Sequence, residues 1–201
     1  MATATTNNGA LISLALPQER VARLAVQAGL ALLGTLALTL SAKTKVVLGP
    51  VDISLQSLVV LLIGAAFGWR LAVATLLLYL AEGAAGFAVF QSTPEKGIGI
   101  PYMLGTTGGY LAGFVVMAGI VGWVADRGWD RNLLKLFGAM LVADAVMLAM
   151  GYGWLSGLIG AEKAWQFGVL PFIVPDLIKV GLAATLVPAV WTLFASLRGR
   201  S

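Results

Sequence analysis

Long apolar segments alternate with short polar segments along most of this chain. A transmembrane helix needs about 20 apolar residues, and six segments reach or approach this length. Their approximate bounds are 24–42, 55–67, 71–87, 104–125, 133–155 and 169–197. The second would rise only roughly 20 Å as a helix, so a re-entrant or interfacial element is the alternative there. The pattern predicts an all-α fold with one domain, residues 1–201, which is an integral membrane bundle of six transmembrane helices.

The segment before the first apolar run has a different character. Residues 1–16 mix Ala, Thr, Asn and Gly and carry no charge, and we expect residues 1–19 to be a flexible cytoplasmic tail. Arg20 and Arg23 precede the apolar run, which raises the alternative of a signal peptide. A retained helix is favoured because the run exceeds a typical signal-peptide core and the tail precedes the arginines. Further along, only Gly68, Trp69 and Arg70 separate the second and third segments, which predicts a tight hairpin.

Composition supports the membrane interpretation and excludes several functions. The chain is 59% hydrophobic and 11% charged, with a mean hydropathy of +0.93, whereas soluble domains carry about 25% charged residues. Cys and His are both absent, so disulfides, thiolate metal sites and catalysis by either residue are excluded. No Walker A sequence and no nucleophile–base arrangement occurs, so we expect no enzyme activity, no metal and no cofactor.

The basic residues indicate an orientation. Six crossings place both termini on one side, together with eight basic residues: Arg20, Arg23, Arg70, Arg127, Arg131, Lys135, Arg198 and Arg200. Four others are on the opposite side: Lys43, Lys45, Lys96 and Lys163. An excess of Lys and Arg marks the cytoplasmic face, so both termini are predicted to be cytoplasmic, in a multi-pass protein of the bacterial inner membrane. The basic residues form no continuous stripe, so no nucleic acid is expected as a partner.

The loops on the outer side are the longest of the predicted bundle. Residues 43–54 and 88–103 both contain Pro and Gly. We interpret these loops either as a lid over an outward-facing pocket or as ordinary connections.

An acid and a base lie inside the last apolar segment. Asp176 and Lys179 are its only charged residues, and ionisable groups at membrane depth persist mainly when they are paired or face a cavity. Their spacing of three residues places both on one helix face. Pro171 and Pro175 come just before and are expected to interrupt the helix. The pair is predicted to bind a small molecule beside a broken helix, and a structural ion pair is the alternative.

Other polar and small residues add candidates. Glu82 and Gln56 are predicted near the outer ends of their segments, where they could reach the same cavity. Asp144 could approach the ligand or partner another buried polar group. The first helix has a face of small residues that could dock a separate membrane subunit, and its members are Ala22, Ala25 and Gly29.

Four ordered motifs carry a family resemblance. Residues 50–56 read Pro-Val-Asp-Ile-Ser-Leu-Gln, residues 79–90 read Tyr-Leu-Ala-Glu-Gly-Ala-Ala-Gly-Phe-Ala-Val-Phe, residues 105–114 read Gly-Thr-Thr-Gly-Gly-Tyr-Leu-Ala-Gly-Phe, and residues 175–179 read Pro-Asp-Leu-Ile-Lys. Over residues 45–187 the chain resembles the BioY family, the biotin-specific S components of energy-coupling factor transporters. Ala88 and Thr106 stand where the family has proline, and the glycine that usually precedes the aspartate is missing.

The resemblance implies a function and partners. It implies high-affinity biotin binding and uptake across the cytoplasmic membrane, with a transmembrane coupling subunit and two cytoplasmic ATPase subunits as partners within the lipid membrane. The partner subunits, not this chain, would use ATP. The alternative is a stand-alone secondary transporter of a small vitamin-like anion, in which Asp176 and Lys179 form a proton-coupled pair.

Biotin also suits the candidate residues chemically. A carboxylate such as Asp176 fits the two N–H groups of the ureido ring, and an ammonium such as Lys179 fits its carbonyl or the valerate carboxylate. Two lysines for the valerate and three aromatic residues for apolar walls complete the predicted site: Lys43, Lys45, Phe87, Phe90 and Tyr102.

Overall fold

The computed structural model describes residues 10–14, 17, 19–46 and 51–198, which are predominantly helical. The α-helices are α1 (Arg20–Lys43), α2 (Gln56–Ala84), α3 (Ile100–Met103), α4 (Gly108–Ala125), α5 (Leu133–Ile159), α6 (Ala161–Gly168) and α7 (Leu170–Arg198). Two short strands, β1 (Lys45–Val46) and β2 (Ile53–Ser54), pair antiparallel, with Lys45 opposite Ser54. Short 3-10 turns occupy Leu11–Leu14 and Trp129–Arg131.

Helix α2 reverses direction at Gly68. This residue has φ 73° and ψ 168°, a conformation that only glycine adopts readily. The Gln56 side-chain amide donates to the Tyr79 hydroxyl over 2.8 Å although the two residues are 23 positions apart. A straight helix would separate them by about 35 Å. Residues 56–67 and 69–84 are therefore two antiparallel limbs that meet at the turn predicted from the sequence.

Five described helical segments are long and apolar enough to cross a membrane when α2 is counted as one helix. They are Arg20–Lys43, Gln56–Ala84, Gly108–Ala125, Leu133–Ile159 and the consecutive helices α6 and α7 over Ala161–Leu193. Helix α4 begins at Gly108 and not at residue 104, where the predicted segment begins, because residues 104–107 form a turn that follows α3. The sequence reasoning did not predict α3 and α6, which are too short to show helical periodicity.

Glycines bring α4 into close contact with α2 and α5. A Cβ atom on Gly64 of α2 would lie 3.0 Å from the Val121 side chain of α4. On the other side of α4, a Cβ on Gly109 would lie 2.7 Å from the Met150 carbonyl oxygen, and one on Gly113 would lie 3.0 Å from Met147. These helices approach closely because the contact positions lack side chains.

The turn between α4 and α5 is closed by a buried carboxylate. Asp130 is fully buried, and its Oδ2 accepts a 2.6 Å hydrogen bond from the Trp191 indole of α7. The Arg131 guanidinium lies 4.4 Å from the centre of the Trp191 ring. Burial raises the pKa of Asp130, and the bond from Trp191 and the charge of Arg131 oppose this shift only in part. The group thereby joins α7 to the α4–α5 turn.

Helix α1 is attached to the bundle mainly through its second half. No residue of α1 before Ala31 is buried, whereas Gly34, Leu38 and Ala42 are. Before α1, Leu11 contacts the core and Ala10 is only 2% exposed. This part of the predicted tail therefore packs against the bundle, and the flexibility of residues 1–19 stays a prediction. The rest of that tail, residues 1–9, 15, 16 and 18, lies outside the described residues.

Candidate functional site

A narrow cavity lies between α2, α4, α5 and α7, beneath the loops that precede and follow α2. It contains about 480 Å³ of empty space including its open mouth. Its polar lining comes from Asp52, Ser54, Gln56, Ser57, Gln91, Thr107, Asp176 and Lys179. Its apolar lining includes Tyr102, Tyr110, Leu111, Phe114, Met147 and Phe172. Aromatic walls with a few polar groups are typical of small-molecule sites.

Asp176 and Lys179 form the most buried ion pair of this cavity. Lys179 Nζ lies 2.8 Å from Asp176 Oδ1, and the two residues are 6% and 2% exposed, respectively. Ser57 of α2 joins the pair, since its hydroxyl donates to Asp176 Oδ1 over 3.2 Å and accepts from Lys179 Nζ over 3.0 Å. Asp176 Oδ2 is buried and has no hydrogen-bond partner among the described residues. The pair therefore keeps one strong acceptor unused.

The predicted helix break beside this pair is absent. Helix α7 is continuous over Leu170–Arg198, and Pro175 lies inside it. Pro171 is within the first turn, where a missing N–H costs nothing. Pro175 leaves only the Pro171 carbonyl without its usual donor, because a helical N–H bonds to the carbonyl four residues earlier. The prediction of a broken helix was wrong because packing on α2 and α5 supports the helix past Pro175.

A second buried carboxylate lies near the pair. Asp144 of α5 is 6% exposed, and its Oδ1 has no partner among the described residues. It is close enough to Asp176 and Lys179 to interact electrostatically with both. Met147, one turn further along α5, lines the cavity. Asp144 therefore lies close to the pair without lining the cavity directly.

A series of hydrogen bonds fixes the cavity wall that lies next to the outer loops. The Gln56 amide donates to the Tyr79 hydroxyl, which donates to the Val89 carbonyl over 2.9 Å. Gln56 is 1% exposed and lines the cavity. The side-chain nitrogen of Gln91 is buried and has no partner among the described residues. Gln91 therefore presents an unused donor in the cavity lining.

The two outer loops are joined through Asp52. Its Oδ2 accepts a 2.6 Å hydrogen bond from the Ser92 hydroxyl, and its Oδ1 lies 3.3 Å from Lys96 Nζ. Lys45 Nζ lies 3.9 Å from both Asp52 Oδ2 and Glu95 Oε2. Asp52 is 3% exposed and lines the cavity. This loop cluster, made of Asp52, Lys45, Ser92, Glu95 and Lys96, therefore covers the cavity.

Lys43 and Phe90 hold the second loop in place. Lys43 Nζ donates to the carbonyl oxygens of Phe90 and Thr93 over 2.8 and 2.6 Å, and to the Thr93 hydroxyl over 3.1 Å. Phe90 is fully buried, and its ring contacts Tyr79 edge-on at 5.4 Å and stacks on Tyr102 at 5.2 Å. These contacts fix the loop above the cavity wall formed by Tyr102.

The structure brings only some of the predicted site residues together. Four line the cavity: Gln56, Tyr102, Asp176 and Lys179. Five do not: Lys43, Lys45, Glu82, Phe87 and Phe90. Glu82 accepts a 3.0 Å hydrogen bond from Thr35 of α1, and Phe87 is 64% exposed. Lys45 lines a neighbouring apolar groove between α2 and α7, which shares Ser54 and Lys179 with the cavity. Direct ligand contact by these five residues stays a prediction.

The predicted docking face lies open. Ala25 and Gly29 are exposed and Ala22 is half-buried. A Cβ atom on Gly29 would meet no described atom within 4 Å. The exposed side of α1 also carries Leu32 and Leu33, so nothing in the described chain covers this small-residue face.

Sequence reasoning missed several lining residues, chiefly Asp52, Ser57, Gln91 and Tyr110. Asp52 and Ser57 occur in or next to the motif at 50–56, but a single carboxylate in a loop and a serine in an apolar helix are weak signals. Ser57 contacts Asp176 across 119 positions, which no local pattern reveals. The described residues contain no acidic cluster that could hold a metal ion, and the absence of a metal or cofactor stays a prediction.

Comparison with known proteins identifies the family. Residues 12–196 match the model of the BioY family. The chain belongs to the BioY family. This BioY-family chain is 37% identical over 145 residues to the probable biotin transporter BioY of Pyrococcus horikoshii, covering 72% of this chain and 83% of that protein. It is 31% identical over 138 residues to the biotin transporter BioY of Thermotoga maritima, covering 68% and 79% of the two chains.

A solved structure shares the fold. The crystal structure of the S-component for biotin from an ECF-type ABC transporter matches this BioY-family chain with a TM-score of 0.71 at 19% identity. The match covers 84% of this chain and 92% of that chain. Together with the five apolar helical segments, the family assignment makes the chain a multi-pass membrane protein.

Proposed function

We propose that this chain binds biotin in the cavity and serves biotin uptake as the substrate-specific component of an energy-coupling factor transporter. It is a transporter subunit and not an enzyme, in keeping with its relatives. The observation that carries the proposal is the buried Asp176–Lys179 pair, whose Asp176 Oδ2 has no partner among the described residues. A buried carboxylate oxygen without a donor costs free energy, and a ligand N–H group would remove that cost.

The donors and acceptors of the pair match the ureido group. An ammonium has three N–H donors, and Lys179 uses two of them on Asp176 and Ser57. Its third N–H can bind the ureido carbonyl while Asp176 Oδ2 accepts from a ureido N–H. Charge-assisted hydrogen bonds of this kind are stronger than neutral ones. Tyr102, Tyr110 and Phe114 provide apolar surface for the thiophane ring.

The valerate is assigned to the mouth of the cavity. Lys43 has all three of its donors engaged by Phe90 and Thr93, so its geometry favours a role in holding the loop. Lys45 makes only long contacts, since its Nζ lies 3.4 Å from the Ser92 hydroxyl and 3.9 Å from Asp52 and Glu95. It is therefore the better candidate to approach a carboxylate that leaves the cavity.

The membrane topology is part of the proposal. Six crossings result when the two antiparallel limbs of α2 are counted separately, with both termini on the cytoplasmic side of the bacterial inner membrane. The eight-to-four distribution of basic residues supports this orientation. The chain has no cysteine, so single cysteines at the exposed positions Thr44, Ile98 and Lys135 can be labelled without background. An impermeant reagent should label the first two from outside and not the third. The reverse pattern contradicts the orientation.

The partners proposed are a transmembrane coupling subunit and two cytoplasmic ATPase subunits. The open small-residue face of α1 (Ala22, Ala25 and Gly29) is the proposed docking surface, because small side chains let another helix approach closely. Biotin uptake by cells that contain all subunits is expected to require ATP hydrolysis by the partners. Uptake by this chain alone, driven by the proton-motive force, would favour the secondary-transporter alternative.

Ligand binding by the purified chain tests the proposal directly. Biotin should bind, measured by isothermal titration calorimetry, and lipoic acid is the matched control because it has a sulfur ring and a valerate but no ureido group. Two ureido hydrogen bonds worth about 1.5 kcal/mol or more each predict at least a hundredfold preference for biotin. Equal affinities, or no biotin binding by a folded chain, contradict the assignment of this site.

A further inference from the structure

A second polar groove lies at the opposite end of α1 and α2, far from the cavity. It is formed by Arg20, Arg23 and Gln27 of α1 together with Arg70, which lies in the first turn of the second limb of α2, just after the Gly68 turn. The groove contains about 790 Å³ of empty space including its open side. It exists because no residue of α1 before Ala31 is buried, so the first turns of α1 stand away from the bundle.

The three arginines of this groove form no ion pair with a carboxylate of the described residues. None of their guanidinium groups lies within 4.0 Å of a carboxylate oxygen of the described residues. Arg70 lies 5.3 Å from the ring centre of its neighbour Trp69, which is 44% exposed. Three cations that face one open groove favour an anionic occupant, because guanidinium groups bind phosphate through paired hydrogen bonds.

The remaining walls of the groove are apolar. Leu24 of α1 and Leu71 of α2 line it on the side toward the helix centres. Both helices are apolar enough to cross a membrane. An occupant that matches these walls has an anionic group at the level of the arginines and hydrocarbon beside the leucines. An anionic phospholipid has both features, whereas free phosphate lacks the hydrocarbon.

The groove and the proposed docking face are on opposite sides of α1. At 3.6 residues per turn, Arg20, Arg23 and Gln27 share one side of the helix, and Ala22, Ala25 and Gly29 are centred about 180° away. The side of α1 that carries the arginines also carries, further along the helix, the buried Gly34, Leu38 and Ala42. An occupant of the groove therefore leaves the small-residue face free.

We propose that Arg20, Arg23 and Arg70 form a binding site for the headgroup of an anionic phospholipid, whose acyl chains lie along Leu24 and Leu71. The lipid fills the gap where α1 stands away from α2 and ties the first turns of α1 to the bundle. This site is separate from the biotin cavity and does not depend on the ligand assigned there.

Lipid binding to the purified full chain tests the site. Native mass spectrometry measures the affinity for phosphatidylglycerol and for phosphatidylcholine with the same acyl chains. A basic residue near an anionic headgroup contributes roughly a fivefold factor. The parent chain is therefore expected to prefer phosphatidylglycerol by about twentyfold or more, and Arg23→Gln with Arg70→Gln should remove most of that preference.

A matched variant controls for charge alone. Arg127→Gln with Lys135→Gln removes the same charge from exposed residues at the same end of the bundle, outside the groove, and should keep the preference. If the Arg23/Arg70 variant does not fold, each single Arg→Gln change should reduce the preference by roughly fivefold. Equal loss in the control pair, or no lipid preference in the parent chain, refutes the site. Displacement of phosphatidylglycerol by an equal concentration of inorganic phosphate refutes the assignment to a lipid.

Discussion

Two buried carboxylates line the cavity, and they differ in whether both of their oxygens have a partner. Asp176, on the helix side, is bonded through Oδ1 to Lys179 and Ser57, while Oδ2 has no partner among the described residues. Asp52, on the loop side, uses both oxygens, since Oδ1 contacts Lys96 and Oδ2 accepts from Ser92. Both groups are at most 3% exposed, so burial does not distinguish them.

We infer from this difference that Asp176 is the ligand-binding group of the proposed function and that Asp52 is a structural one. A carboxylate whose two oxygens both have partners can bind a ligand only if it first loses one of those partners. The contacts of Asp52 instead join the two outer loops. An unsaturated buried carboxylate is costly in the free protein and becomes satisfied when a donor arrives. The comparison therefore predicts that changes at Asp176 act on affinity directly, whereas changes at Asp52 act through the position of the loops.

The largest effect is expected at the helix-side pair. Removal of one partner strands a buried charge and destabilises the protein in either role, so both are replaced: Asp176→Asn with Lys179→Met. The double variant should fold but lose one or two charge-assisted hydrogen bonds to the ureido ring, worth about 1.5–3 kcal/mol each. Calorimetry should show a loss of biotin affinity from roughly tenfold to more than a thousandfold. A folded double variant within about threefold of the parent affinity would falsify the ligand-binding role of the pair.

A smaller effect is expected at the loop cluster. Asp52→Asn keeps an acceptor for Ser92 but loses the attraction of Lys45 and Lys96, whose side chains are 19% and 39% exposed. Partly exposed ion pairs contribute little, so biotin affinity should fall by about threefold to tenfold, mainly through faster dissociation. Stopped-flow measurement of the dissociation rate provides the readout. An effect as large as that of the Asp176/Lys179 variant would mean that Asp52 itself contacts the ligand.

A glycine of α2 also controls the position of the second outer loop, which contains Phe90. Gly83 faces the Phe90 ring so closely that a Cβ atom would collide with it. Gly83→Ala should displace Phe90 and, with it, the ring of Tyr102 that stacks on Phe90. Overpacking of this kind costs about 1–3 kcal/mol of stability, and biotin affinity should fall by only about threefold. Thermal unfolding and calorimetry measure the two effects.

A glycine of α7 is the control for this change. A Cβ atom on Gly181 would meet no described atom within 4 Å. Gly181→Ala should therefore leave binding unchanged and stabilise the helix slightly, since alanine has the higher helix propensity. Similar losses in Gly83→Ala and Gly181→Ala would show that the Phe90 contact does not set the loop position.

Sequence patterns predicted the helical fold well because hydrophobic length is a local property. The reversal in α2 was expected from Gly68 and Arg70 between two apolar runs, and the structure places a positive φ at Gly68. The short helices α3 and α6 were missed because four and eight residues cannot show a helical repeat. The helix break at Pro175 was predicted and is absent, since local proline chemistry is outweighed by the packing of α7.

The site was predictable only where its residues carry unusual chemistry for their surroundings. Asp176 and Lys179 were found because charges are rare in an apolar segment. Ser57 was missed because its importance depends on a contact between α2 and α7 that is distant in sequence. Lys43 was predicted to bind the ligand because it is basic and on the outer side, but in the structure its ammonium group donates hydrogen bonds to loop carbonyl oxygens. The sequence cannot show which partner a flexible side chain reaches.

The smallest effect on biotin binding is expected at the far side of α1. Gly29→Leu adds a large side chain where a Cβ atom meets no described atom within 4 Å, so both biotin affinity and thermal stability should stay within error of the parent. The same change should prevent close approach of a coupling subunit to the small-residue face and reduce its co-purification. Gly153→Leu on α5, which is equally open, is the control and should leave co-purification intact. Unchanged co-purification of Gly29→Leu would remove this face as the docking surface, while a loss of biotin binding would show that the two ends of α1 are coupled.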